Sequence, residues 1–148
     1  MNSQNKSLNL KNKSLNLKNK CKKIKLVLSD VDGVLTDGGM YYSDQGEVMK
    51  KFNTRDGMAV ALLEKNIPTI LISKENSKIV KARAKKIHAA EALIGIDNKE
   101  ILLPKLCKKY KVKNFEIAYI GDDLNDYGIM KKVGFSVTPN DGIEKIKK

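Results

Sequence analysis

At 148 residues with 41% hydrophobic residues, the chain can form one domain with a substantial core. No apolar run approaches the ~20 residues that cross a bilayer. The two cysteines, Cys21 and Cys107, form neither a metal-ligand spacing nor a disulfide framework, which suits a reduced, cytoplasmic setting. The formal charge of +12 invites a nucleic-acid role, yet seven of the lysines fall in the first 23 residues and leave +5 for the other 125. Only Arg55 and Arg83 are arginines, so the basic surface reads as solvation and not as base recognition.

Residues 1–22 open the chain as a Lys/Asn-rich segment in which Lys6 to Asn12 recurs as Lys13 to Asn19. Two copies of seven residues are too few for a solenoid or coiled coil, and a disordered tail is expected. The domain proper is expected over 23–148. Lys25 to Leu28 reads as a strand buried on both faces, running into Asp30 and Asp32. Met40 to Phe52, with the turn residues Ser43 to Gly46, predicts a β-hairpin. Met58, Ala59, Leu62 and Leu63 form a helical stripe with Thr54 as the candidate N-cap.

Thr69 to Ile72 predicts a second buried strand ending at Ser73, followed by a helix over Lys78 to Lys86 and a short strand before Ile94. The next helix contains Pro104, which implies a kink there or a start nearer Leu103. Phe115 to Ile120 is a third long strand, ending in Gly121-Asp122-Asp123-Leu124-Asn125-Asp126. A helix over Tyr127 to Lys132 and a strand at Phe135 to Val137 complete the series. Strands alternating with helices imply an α/β, Rossmann-like three-layer fold with a parallel sheet and right-handed crossovers; the hairpin is an insertion.

The polar clusters fall at the carboxyl ends of the strands, which share one rim in a parallel sheet. Asp30, Asp32, Asp122, Asp123 and Asp126 supply carboxylates; Ser73 supplies a hydroxyl and Lys99 an ammonium. Hard oxygen donors with almost no His or Cys nearby select Mg²⁺. A carboxylate can attack phosphorus, a second can move a proton, and Ser with Lys can hold phosphoryl oxygens. The chemistry expected is phosphate-ester hydrolysis.

The stretch Asp30 to Gly38, DVDGVLTDG, resembles the first motif of the haloacid dehalogenase superfamily of phosphatases. Ser73, Lys99 and Gly121 to Asp126 (GDDLND) fit its second, third and fourth motifs in order. The resemblance implies Asp30 as nucleophile and Asp32 as general acid/base. It also implies Mg²⁺ held by Asp30, Asp32 (through its backbone carbonyl) and Asp122, with Asp123 and Asp126 in support. Ser73 and Lys99 would bind phosphate.

A hairpin where other members carry a cap domain, followed by Phe52-Asn53-Thr54-Arg55-Asp56-Gly57, is similar to two capless groups. One acts on 3-deoxy-D-manno-octulosonate 8-phosphate, the other on 9-phosphates of nine-carbon sialic-type sugars. Residues matching Asn53, Thr54, Arg55, Asp56 and Gly57 line their substrate site, with Arg83 as a further anion-binding position. Lys74-Glu75-Asn76 departs from the octulosonate pattern, and Ala61 stands where that group tends to have Arg. Both features shift the expectation toward a nonulosonate, with Glu75 contacting the sugar.

The family continues beyond the Val137 strand, and an adjacent subunit's C-terminal tail often helps close its site. With the chain ending at Lys148, closure is expected without that tail. The apolar hairpin over residues 40–52 is expected to pack on a neighbouring subunit in a homotetramer. The competing expectation is a non-catalytic oligomerisation or regulatory module of sialic-acid or related sugar activation.

Overall fold

The computed structural model describes residues 14–147. The core is a five-stranded sheet, ordered β5-β4-β1-β6-β7 and parallel throughout. Its strands are β1 (Leu26–Ser29), β4 (Thr69–Ile72), β5 (Glu91–Leu93), β6 (Ile117–Ile120) and β7 (Phe135–Val137). All four residues of β4 are buried, as a strand covered on both faces requires.

Successive side chains leave opposite faces of a strand, and the core divides accordingly. Ile70 and Ile72 join Leu26, Leu28, Ile117 and Tyr119 under α4 (Leu103–Tyr110) and α5 (Tyr127–Met130). Leu71, between them, packs on the other face with Val31, Val60 and Val80, under α2 (Thr54–Leu63) and α3 (Lys78–Lys86). The expected three-layer α/β architecture is present. From β1 the chain moves outward through β4 and β5, then returns to pair β6 on the other side of β1. The direction reverses at the carboxyl end of β1, where open α/β sheets form their ligand crevice.

The predicted hairpin comprises β2 (Tyr41–Ser43) and β3 (Gly46–Met49), paired antiparallel outside the main sheet. Gly46 takes φ +113° at its turn, and its register shifts between Tyr41 and Tyr42. Pro104 sits in the first turn of α4, where its missing N–H costs no helical bond. A 3-10 helix over Lys99–Leu102 leads into it, so the chain resolves the proline by restarting the helix at Leu103.

Two local expectations need correction. The N-cap of α2 is Asn53 and not Thr54; the Asn53 side chain accepts from the Arg55 N–H at 2.9 Å. The tail expected to be disordered falls outside the described residues as far as residue 13, but a helix, α1, covers 14–21. Its Leu and Lys residues are good helix formers, while its exposed side chains show why no buried pattern marked it.

Candidate active site

Asp30 directly follows β1, and its N–H extends the ladder by donating to Ile120 O at 2.9 Å. Its side chain is nearly inaccessible (residue exposure 4%). Oδ1 accepts from the Val31 N–H at 2.7 Å and faces the Lys99 ammonium at 2.8 Å. Among the described residues no donor reaches Oδ2, which remains the free oxygen of this carboxylate.

Lys99 is fully buried at the start of the 3-10 helix and lies 2.7 Å from Asp126 Oδ1 as well as beside Asp30. A buried cation is tolerable only when its partners are this close. Asp126 is saturated: Oδ1 also accepts from Tyr119 Oη at 2.6 Å, while Oδ2 accepts from the Asp122 N–H at 2.9 Å. It thereby folds the turn after β6 back on itself. Asp123 caps the same turn, accepting from the Leu124 N–H, and its side chain borders the cleft.

Asp122 is placed differently. Its Oδ1 is buried without a hydrogen-bond partner, and Oδ2 lies where a Cβ on Gly33 would come within 1.9 Å. Carboxylate oxygens of Asp30, Asp122 and Asp126 lie within 4.8 Å of one another. Burial, only partly offset by Lys99, with Asp126 nearby, pushes the Asp30 carboxyl up to about 7. Burial and then Asp126 and Asp123 push Asp122 up to about 6. An orphaned buried oxygen amid crowded, reluctant carboxylates is what a hard divalent cation would relieve, and the donor set is all oxygen.

The Asp32 carboxylate is not part of this cluster. Its Oδ1 lies 2.5 Å from Lys50 Nζ, and Oδ2 accepts a long bond, 3.4 Å, from Ser73 Oγ. Ser73, buried at the end of β4, also accepts from the Glu75 N–H at 3.1 Å. The four expected motifs therefore meet at one rim. A cleft of about 130 Å³ opens there, lined by Asp30, Asp32, Met40, Lys74, Glu75, Asp122, Asp123 and Asn125.

The expected substrate residues divide. Glu75 borders this cleft, whereas Asn53, Thr54, Arg55, Asp56, Gly57 and Arg83 do not line it. Asn53 and Asp56 line a separate hollow with Asp37 and Lys51. Gly57 of α2 faces Arg83 and Ile87, where an added Cβ would lie 3.0 Å from each side chain and both would have to give by a few tenths of an ångström. Arg83 donates to Asn53 O at 2.7 Å and covers the Phe52 ring. Within one chain it shapes the Asn53 loop.

Sequence reasoning missed Lys50, Glu47, Tyr119 and Asn125. Lys50 was one lysine among many, and only its 18-residue reach to Asp32 marks it. Tyr119 was an apolar strand position whose phenol could signal nothing before Asp126 was placed beside it.

Residues 36–148 match the family model described as haloacid dehalogenase-like hydrolase. The 3-deoxy-D-manno-octulosonate 8-phosphate phosphatase of Salmonella typhi is 39% identical over 113 residues, covering 76% of this chain and 60% of the relative. The chain thus spans about 60% of the length of such curated relatives. Among solved structures, the corresponding Moraxella catarrhalis phosphatase, in complex with magnesium, phosphate and KDO, superposes with a TM-score of 0.81 at 36% identity. That match covers 86% of this chain and 74% of the other. The cobalt-bound Haemophilus influenzae phosphatase gives 0.82 at 34% identity, covering 86% and 75%.

Proposed function

The chain belongs to the haloacid dehalogenase-like hydrolases, and we propose that it hydrolyses the phosphate monoester of an acidic keto-sugar through a phosphorylated Asp30. One observation carries this: Asp30, Asp32 and Asp122 line one cleft at the sheet's switch point, with Ser73 hydrogen-bonded to Asp32 and the buried Lys99 paired with Asp30.

Asp30 Oδ2, free of donors and backed by a held Oδ1, is the attacking oxygen. As the bond from Oδ2 to phosphorus forms, the bond to the sugar oxygen breaks and Asp32 gives that oxygen its proton. Asp32 then takes a proton from the water that hydrolyses the aspartyl-phosphate, restoring both carboxyls. Ser73 Oγ and the Lys99 ammonium balance charge on the phosphoryl oxygens. Asp30, Asp122 and the Asp32 backbone carbonyl would hold Mg²⁺, which when bound neutralises the crowded carboxylates and the phosphate charge. Asp126 keeps Lys99 and the Asp122 backbone in place.

The relatives' names favour the eight-carbon octulosonate 8-phosphate as substrate. Glu75 at the cleft supports the nine-carbon alternative, because it stands where the nonulosonate pattern places a sugar contact. A panel of both esters with Mg²⁺ tests this. The reading expects one to be preferred and both to be inert in EDTA. Failure to hydrolyse either, or p-nitrophenyl phosphate, would favour a non-catalytic oligomerisation module.

Met40, Tyr41, Tyr42, Val48 and Met49 of the hairpin region are all exposed, an apolar surface that suits burial against other copies in a homotetramer. Such packing would also give Arg55 and its neighbours a partner's cleft to enter. Light scattering tests it, and a monomer at micromolar concentration would refute it. Among the described residues no helix is long and apolar enough to cross a membrane, and we place the enzyme in the cytoplasm.

A further inference from the structure

Lys50 follows β3, and its side chain is fully buried although it carries a charge. One ammonium spans two carboxylates: Asp32 Oδ1 at 2.5 Å and Glu47 Oε1 at 2.5 Å. Glu47 is fixed in turn, its Oε2 accepting from Ser77 Oγ at 2.5 Å. Ser77 occupies the N-cap position of α3 but makes no side-chain capping bond there; its hydroxyl serves Glu47 instead. A continuous chain of polar contacts thus runs from the main domain's α3, through the hairpin, to Asp32.

We propose that Lys50 is a positioning residue for Asp32, holding its carboxyl so that Oδ2 faces the leaving oxygen, with Glu47 and Ser77 as its anchor. This rests on the assignment of Asp32 as general acid above. Three physical points support it. An ammonium has donors and no acceptor, so the oxygen beside it must accept and cannot carry a proton toward it. The transferable proton of neutral Asp32 therefore sits on Oδ2. That oxygen's other partner, Ser73 Oγ, is held only at 3.4 Å, too loosely to fix the carboxyl alone. Neither Asp32 nor Glu47 belongs to the Asp30–Asp122–Asp126 carboxylate cluster, so the clamp can orient the Asp32 carboxyl without its serving as a ligand there.

The hairpin thereby gains a role within its own chain. It delivers a buried cation to the general acid.

The test compares phenyl phosphate with p-nitrophenyl phosphate, two esters of similar shape. Phenolate leaves poorly without a proton, its conjugate acid having a pKa of about 10 like a tyrosine; p-nitrophenolate leaves readily. kcat/KM reports only the steps through loss of the leaving group, so it isolates the acid's contribution. In Lys50→Met with Mg²⁺, kcat/KM should fall at least about tenfold more for phenyl than for p-nitrophenyl phosphate. Lys50→Gln, which keeps a donor in the buried slot, should show the same bias and serves if the Met variant lacks the wild-type circular dichroism spectrum. Equal losses on both esters would overturn the inference and leave Lys50 a structural ion. A wild-type chain inert toward both would instead overturn the enzymatic assignment beneath it.

Discussion

Gly33→Ala probes the join between fold and site. Gly33 has φ +89°, so an added Cβ costs about 1–2 kcal/mol of backbone strain wherever it occurs. Here the Cβ would also lie 1.9 Å from Asp122 Oδ2 and 2.4 Å from Asp122 Cγ. That is roughly 1.5 Å short of ordinary contact, so the carboxylate must retreat by a comparable distance. A displacement of about 1 Å at a reacting centre can cost on the order of 100-fold in rate. Gly46→Ala is the internal control: φ is +113°, but nothing lies within 4 Å of its Cβ. Both variants should therefore lose thermal stability by a few degrees. Only Gly33→Ala should also lose about 100-fold in kcat and weaken Mg²⁺ binding by calorimetry. If Gly33→Ala kept Mg²⁺ affinity and kcat within about threefold of Gly46→Ala, the placement of Asp122 against the Gly33 backbone would be wrong.

Two further outcomes follow from the buried charges. Lys99→Met leaves Asp30 and Asp126 facing each other without their cation, a loss of about 3–5 kcal/mol for a broken buried pair. Its urea midpoint at pH 7 should fall sharply and recover in part near pH 5, where Asp30, raised to about 7 by burial, can take up a proton. A midpoint unchanged from wild type would contradict the contact. The wild-type chain in EDTA should itself become less stable between pH 5 and 7.5. Asp30 and Asp122 titrate at about 7 and about 6 when folded, against 3.8 for an unperturbed Asp, so the folded state holds protons the unfolded state has released. Stability present below the unfolded value is lost as pH rises through those folded values. Mg²⁺ should restore more at pH 7.5 than at pH 5, since it binds the deprotonated carboxylates; a thermal midpoint in EDTA that rose across this window would contradict it.

The fold was legible where local pattern and tertiary demand agreed. The helix expected over Lys78 to Lys86 forms with those bounds, its inner face carried by Val80, Ala84 and, at its C-cap, Ile87. Pro104 announced its own helix start. The motif acids could be placed together because a parallel sheet sends every strand's carboxyl end to one rim. What pattern could not supply was pairing between distant polar side chains. Lys50 to Asp32 and Tyr119 to Asp126 depend on where a hairpin and a strand come to rest, and lysine or tyrosine at such positions looks ordinary in sequence. The Asn53 to Gly57 segment shows the opposite limit. Resemblance assigned it to substrate, yet within one chain Gly57 sits against Arg83 and Ile87, Asn53 caps α2, and none of the five residues lines the cleft beside Asp30.

Asp30 as nucleophile remains the central claim. It is tested most directly by phosphate release from p-nitrophenyl phosphate with Mg²⁺, comparing the wild-type chain with Asp30→Asn at matched circular dichroism. The wild type should turn over and lose activity in EDTA, while Asp30→Asn should be slower by at least about 1,000-fold. Near wild-type release by Asp30→Asn would contradict the account.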